Sequence, residues 1–165
     1  MSARLEIAII ADTHMPRGRR RLPEACTRRI ARADLLIHAG DFSSAAFCAD
    51  LEALGTPLVA VHGNVDDAEL RARLPERTVV EAGGVRIGVV HDAGPKRGRL
   101  ARLRRAFPDA DAVVFGHSHL PLHEAADGFH IFNPGSPTER RRAPGHTMGM
   151  AVAAGGEVRF RLVKL

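Results

Sequence analysis

The sequence contains no tryptophan and no tyrosine. Proteins that bind single-stranded nucleic acid stack bases on aromatic side chains, so this lack argues against that class. Cysteine is nearly missing too. Cys26 and Cys48 fall in helix-like segments without CxxC spacing. They read as reduced core thiols of a cytoplasmic protein, not as a disulfide framework. Lysine is scarce: apart from Lys96 and Lys164, all 24 basic side chains are arginine. No apolar run approaches the ~20 residues a membrane helix needs, so no membrane partner is expected. The run 5–11 is too short for a signal peptide and is followed by Asp12, not by a small-residue cleavage site. Linkers, repeats and low-complexity segments are missing as well. Residues 1–165 therefore read as a single domain, with no insertion large enough for a cap domain.

What is present is globular. Hydrophobic residues make up 45% of the 165, enough to bury a sizeable core. The net charge of +5 attracts anions, which gives phosphate-bearing partners weight.

Apolar runs of strand length recur along the chain, each followed by glycine or a polar residue. They cover 5–10, 34–38, 57–62, 85–90 and 111–115. Helical patterns lie between them. Pro23 opens one, with Cys26, Ile30 and Ala33 on a common face. Ser43 or Ser44 caps a second, whose stripe is Phe47, Leu51 and Leu54, and Gly55 stops it. A short helix is expected over 67–73. Another spans 99–107, with Leu100, Leu103 and Phe107 inward and Arg102, Arg104 and Arg105 outward. Gly83-Gly84 joins 78–82 to 85–90 as a hairpin. A short strand at 129–132 and a hairpin of 148–154 with 157–163 close the chain. Alternating βα units followed by hairpins predict an α/β fold of two mixed sheets packed face to face, with helices on both outer faces.

Asp12 and His14, Asp41, Asn64, His91, and His117 and His119 all follow the ends of these strands. Each has an ordinary reading on its own. Asp12 or Asp41 could cap a helix, Asn64 could be a turn residue, and His91 could simply end a strand. Five such coincidences in order are not ordinary. Sites in open α/β sheets form beyond the carboxyl ends of strands. Seven nitrogen and oxygen donors exceed the four of a closed zinc site. One carboxylate such as Asp41 can bridge two cations. Two cations roughly 3.5–4 Å apart clamp a phosphoryl group and hold a hydroxide between them.

Asp12-Thr13-His14, Gly40-Asp41, Gly63-Asn64, His91, Gly116-His117-Ser118-His119 and Asn133-Pro134-Gly135-Ser136 together resemble the calcineurin-like metallophosphoesterases, in particular their small YfcE-like phosphodiesterase branch. The likeness runs from about Ile7 to Ser136. It implies a four-layer αββα sandwich and two divalent metal ions, manganese first, with nickel, iron, zinc or cobalt as alternatives. Asp12, His14 and His119 would hold the first ion. Asn64, His91 and His117 would hold the second, and Asp41 would bridge them. Asp41, Asn64 and His117 are the expected catalytic residues, with Asn64 also within reach of a substrate phosphate oxygen.

Two positions depart from the family pattern. Many members place a histidine after the GN asparagine to assist the leaving group, and here Val65 stands there. The branch often reads HGH where this chain has His91-Asp92-Ala93, so Asp92 either supports a ligand or repels an anionic substrate. Arginines follow three of the motifs: Arg17 with Arg19 to Arg21, Arg97 and Arg99 beside Lys96, and Arg140 to Arg142. Arg17 and Arg97 are expected to bind substrates with extra negative charge, such as a nucleotide or a nucleic-acid end. His38 and His62 read as satisfied core histidines.

The expected function is a dinuclear metal-dependent phosphodiesterase in which a metal-bridging hydroxide attacks a small phosphate ester in line. A non-catalytic protein-binding scaffold, like the retromer subunit of similar fold, is the alternative. A metal-dependent nuclease is a third reading. An oligomer is open.

Overall fold

The computed structural model describes residues 3–165. Among these described residues, ten strands form two five-stranded sheets. In the first, β1 (Leu5–Ile10), β2 (Leu35–His38) and β3 (Leu58–Ala60) run parallel. The terminal hairpin of β9 (Thr147–Ala154) and β10 (Glu157–Lys164) joins β1 antiparallel, giving the order β10-β9-β1-β2-β3. The second sheet contains β4 (Arg77–Ala82), β5 (Val85–Val90), β6 (Ala112–Val114), β7 (Leu122–Ala126) and β8 (Phe129–Asn133), in the order β4-β5-β6-β8-β7.

Three apolar layers hold the sheets and helices together. Ile7, Ile9, Ile37, Val61, Ile87, Val89, Val114 and Phe132 fill the space between the sheets. On the outer face of the first sheet, Ile10, Leu36 and Phe42 pack with three helices. These are α1 (Glu24–Arg32), α2 (Ala45–Glu52) and α3 (Ala68–Arg73), which contribute Cys26 and Ile30, Leu51, and Leu70 respectively. Against the second sheet, Leu103 of α4 (Arg99–Ala106) and the adjoining Phe107 meet Val113, Phe115 and Ile131. The result is the four-layer αββα sandwich. Gly88 lets α4 approach closely, because a Cβ there would stand 2.6 Å from the Phe107 ring. Cys26 and Cys48 are free, buried thiols of α1 and α2, and burial pushes them up to about 12 and about 11.

Local chemistry sets the element ends. The Ser44 hydroxyl accepts the Phe47 N–H and caps α2, so Asp41 is released from that task. The Asp67 carboxylate accepts the Leu70 N–H and caps α3. Asp34 stands just before β2, where its carboxylate receives the Glu6 N–H at 2.8 Å. Two features differ from the sequence expectation. β7 is an additional edge strand paired with β8. Arg102 is half-buried and not fully outward as the helical period implies; its guanidinium turns back and donates to the carbonyls of Ala93, Pro95 and Arg97. A long flexible arm can follow nearby acceptors whichever way its Cβ points.

Candidate metal centre

The carboxyl ends of β1, β2, β3, β5 and β6 lie along one edge of the sandwich, and the loops there continue the pairing beyond the strands. Asp12 N–H donates to Gly40 O at 3.0 Å, and His14 N–H donates to Asp41 O at 3.0 Å. Gly116 N–H donates to His91 O at 2.9 Å in the other sheet. The Asp12 carboxylate then ties the two sheets together by accepting the His117 N–H at 3.2 Å. Gly40, at φ +94°, permits a close approach: a Cβ there would stand 2.7 Å from His91 Nδ1.

All seven expected ligands meet at this edge. Asp12, His14 and His119 form one buried group, and Asp41, His91 and His117 form a second. His14 Nε2 lies 3.2 Å from His119 Nε2. Asn64 Oδ1 lies 3.1 Å from both His91 Nε2 and His117 Nδ1. Asp41 Oδ2 stands between the groups, 3.2 Å from His91 Nε2 and 3.7 Å from His14 Nε2. The first group is closed from solvent, whereas Asn64 and His117 are exposed.

Backbone carbonyls fix which imidazole nitrogen faces inward. His91 Nδ1 donates to Ala39 O at 2.8 Å, and His119 Nδ1 donates to Glu139 O at 2.5 Å. Their Nε2 atoms are thereby aimed into the cluster. Burial lowers the pKa of both His14 and His119, which keeps them neutral. Burial pushes the Asp12 carboxyl up to about 7, opposed by His91 and reinforced by the charge of Asp41. Burial would raise Asp41 too, but its hydrogen bond with His91, the charge of His91, the Val65 N–H and His14 together bring it down to about 2. Despite burial, the Asp41 and Asp12 carboxylates raise the pKa of His91.

This donor set fits divalent cations. Two neutral imidazole nitrogens at 3.2 Å and the buried Asp12 Oδ2, which has no hydrogen-bond partner, would all be satisfied by one cation. The mixture of imidazole, carboxylate and amide donors suits first-row divalent metals.

The backbone supports the same conclusion. Asp12 (φ 56°), His14 (45°), Asp41 (60°), His117 (70°) and His119 (61°) all sit in the left-handed region. Side chains held there cost about 1–3 kcal/mol each and collect at functional sites. Replacement of His117 by glycine relieves one such position. In EDTA, His117→Gly is expected to melt no lower than the parent, and up to about 2–4 °C higher per kcal/mol released. Its affinity for the second cation should fall about tenfold or more. A melting point well below the parent's would show that the His117 backbone carries no strain.

Supporting residues surround the ligands. The Asp66 carboxylate receives the N–H groups of Asp41, Ser43 and Gly63, fixing the loops of two motifs. Ser136 Oγ donates to Asp12 O at 2.8 Å, and Asn133 Nδ2 donates to Gly116 O at 3.1 Å, which places the 133–136 turn beside the site. Gly40 N–H donates to His38 Nδ1, so His38 Nε2–H faces Thr13 Oγ1 at 3.0 Å. His38 is fully buried and neutral, a satisfied core histidine that also braces the first motif.

Next to the second group lies a cleft of about 190 Å³ lined by His62, Asn64, Arg71, Glu76, His91 and Asp92. Asp92 supports no ligand; its carboxylate accepts the Gly94 N–H at 2.8 Å within its own turn. Arg71, whose surface-like helical position gave no signal, donates to the carbonyls of Asn64 and Asp66. Arg17 donates to Glu139 at 2.7 Å, and Arg97 is exposed on the 94–98 turn. Glu139 itself escaped the sequence reading, because a glutamate before three arginines looks like solvated surface.

The sequence and the fold are similar to those of known proteins. Residues 5–155 match the model of the calcineurin-like phosphoesterase superfamily domain. The chain is 33% identical over 137 residues to a protein of Methanothermobacter thermautotrophicus named "Probable metallophosphoesterase", covering 82% of this chain and 78% of that protein. The fold superimposes on wild-type Vps29 of Entamoeba histolytica complexed with Zn²⁺, with TM-score 0.74, 22% identity and coverage of 97% and 99%. It also superimposes on a structure described as a novel archaeal phosphodiesterase, with TM-score 0.70, 20% identity and coverage of 96% and 100%. The chain belongs to the calcineurin-like phosphoesterase superfamily.

Proposed function

We propose that this protein is a dinuclear metal-dependent phosphodiesterase that works with manganese in the cytoplasm, as a single domain with an uncapped site. The observation that carries this reading is the position of Asp41 Oδ2, within 3.7 Å of the inward nitrogens of both ligand groups. Two cations, when bound, supply Lewis acidity at the phosphoryl oxygens and a nucleophilic water for in-line attack on phosphorus.

The chain's own residues do the rest. Asp41 keeps its charge through the His91 contact and the Val65 N–H, so it presents a full carboxylate to both groups. Asn64 turns Oδ1 toward the two histidines, which leaves its amide N–H to a phosphate oxygen. His117 turns Nδ1 inward, which leaves Nε2–H as a donor to substrate. The cleft beside Asn64 and His91 receives the second ester group. Val65 brings no imidazole to this cleft, so the departing alkoxide takes its proton from water, and activated esters react faster. Buried, protonated Cys26 and Cys48 suit a reducing compartment.

Arg17 and Arg97 select esters that carry further negative charge, such as nucleotides or nucleic-acid ends. Charge reversal at Arg97, the one of the two that does not bind Glu139, is expected to raise KM for a polyanionic ester about tenfold, with little change for a small one. Equal changes for both substrates would remove Arg97 from recognition.

Likeness to Vps29 favours a second reading, a protein-binding scaffold. The complete ligand set favours catalysis instead, since a scaffold has no need of seven converging donors with five in strained backbone. Hydrolysis of bis-p-nitrophenyl phosphate by EDTA-stripped protein, before and after Mn²⁺, separates the two. Activity restored by metal supports the phosphodiesterase. A folded protein inert on this ester with every first-row metal supports the scaffold.

A further inference from the structure

Glu139 stands at the first ligand group but belongs to none of the family motifs. Its loop is strapped to the first motif. Ser136 Oγ receives the Glu139 N–H at 2.8 Å while donating to Asp12 O, and Thr138 Oγ1 donates to Thr13 O at 2.6 Å. The Glu139 carbonyl holds His119 by its Nδ1. The side chain then turns back toward the same group. Oε1 accepts from Arg17 at 2.7 Å and Arg20 at 3.4 Å. Oε2 is buried without a hydrogen-bond partner and lies 3.5 Å from His14 Nε2, the nitrogen that faces the cluster. An Arg141 nitrogen lies 3.5 Å from Oε2 and His119 Nδ1 lies 3.9 Å away, the latter already committed to the Glu139 carbonyl.

A buried carboxylate oxygen with ion-pair contacts but no hydrogen bond requires an explanation, and a bound ion is one of the few available. Asp12 Oδ2, in the same group, is in the same condition. Asp12, His14, His119 and a shared Asp41 supply four donors, whereas manganese-type ions take more oxygen ligands than that. We propose that Glu139 is an eighth residue of the metal centre, with Oε2 a further oxygen for the first cation and the arginines on Oε1 holding the carboxylate in place. This inference rests on the metal-dependent reading above. It assigns to Glu139 a role that a mere hub for surface arginines would not have.

The test is calorimetric titration of EDTA-stripped protein with Mn²⁺, together with the visible spectrum of the Co²⁺-loaded protein, for the parent, Glu139→Gln and Glu139→Asp. Glutamine still accepts from arginine but offers the first cation no anionic oxygen. It is expected to weaken one of two binding events about 10–100-fold, leave the other unchanged and alter the Co²⁺ bands. Aspartate, one methylene shorter, should recover part of the affinity. Should Glu139→Gln fold poorly, Glu139→Asp decides alone, with a weakened first event expected. A parent that binds two ions, with variants that match it in both affinities and in the Co²⁺ spectrum, overturns the role of Glu139 and leaves the phosphodiesterase reading standing. A parent that binds no ion overturns both.

Discussion

Asp41→Asn should reduce phosphodiester hydrolysis about a thousandfold or more while leaving the fold intact. The magnitude follows from the loss of charge stabilisation at the reacting group, and the selectivity follows from local geometry. Oδ1 only accepts the Val65 N–H, a bond the asparagine carbonyl reproduces. Oδ2 faces His91 Nε2 and His14 Nε2, where an amide NH₂ has no lone pair for a cation and carries no charge. One substitution should therefore weaken both proposed metal sites. Metal analysis after dialysis should show both ions depleted in Asp41→Asn, and the melting point in EDTA should change by no more than a few degrees. Activity within tenfold of the parent would mean that Asp41 does not join the two sites.

The second large effect concerns pH. In the metal-free protein burial pushes Asp12 up to about 7, so a cation entering the first site must displace its proton below that pH. His14 and His119 are held below the usual imidazole range and stay neutral there, adding little to the proton count. Affinity for the first cation is expected to fall about tenfold per pH unit below 7 and to level off above it. For the first binding event, titrations in buffers of different ionisation enthalpy should record about one proton released at pH 6 and far less at pH 8. Stability follows with a definite sign. The Asp12 carboxyl titrates at its ordinary 3.8 when unfolded and at about 7 when folded, so the folded state holds the extra proton between those values. Its contribution to the stability of the metal-free chain is full below 3.8 and is lost as pH rises through 7. Metal reverses that loss, so the rise in melting temperature on adding Mn²⁺ should be larger at pH 8 than at pH 6. Proton release that does not change between these pH values would place the raised carboxyl elsewhere.

Much of this architecture is legible in the sequence because strand ends and ligands coincide. Apolar runs such as 7–10 in β1 and Ala112–Val114 are buried on both faces and lead toward Asp12 and His117. β7 is not legible. Leu122–Ala126 carries no β-branched residue, four of its five side chains are exposed, and only pairing with β8 makes it a strand. The left-handed backbone at five ligands leaves no direct trace either, although aspartate and histidine are among the residues that tolerate it best. Glu139 is hidden for a different reason. Its partners His14 and Arg17 lie more than 120 residues earlier, so no local pattern announces the contact. The inward turn of Arg102 likewise depends on carbonyls of the 93–97 loop, which helical periodicity does not describe.

The central claim is that two cations share Asp41. Anomalous diffraction at the manganese edge, from crystals of the Mn²⁺-loaded protein, tests it most directly. The account predicts two peaks roughly 3.5–4 Å apart, one among Asp12, His14 and His119, the other among Asn64, His91 and His117, with an Asp41 oxygen between them. A single peak at full loading, or two peaks with Asp41 bound to only one, would contradict it.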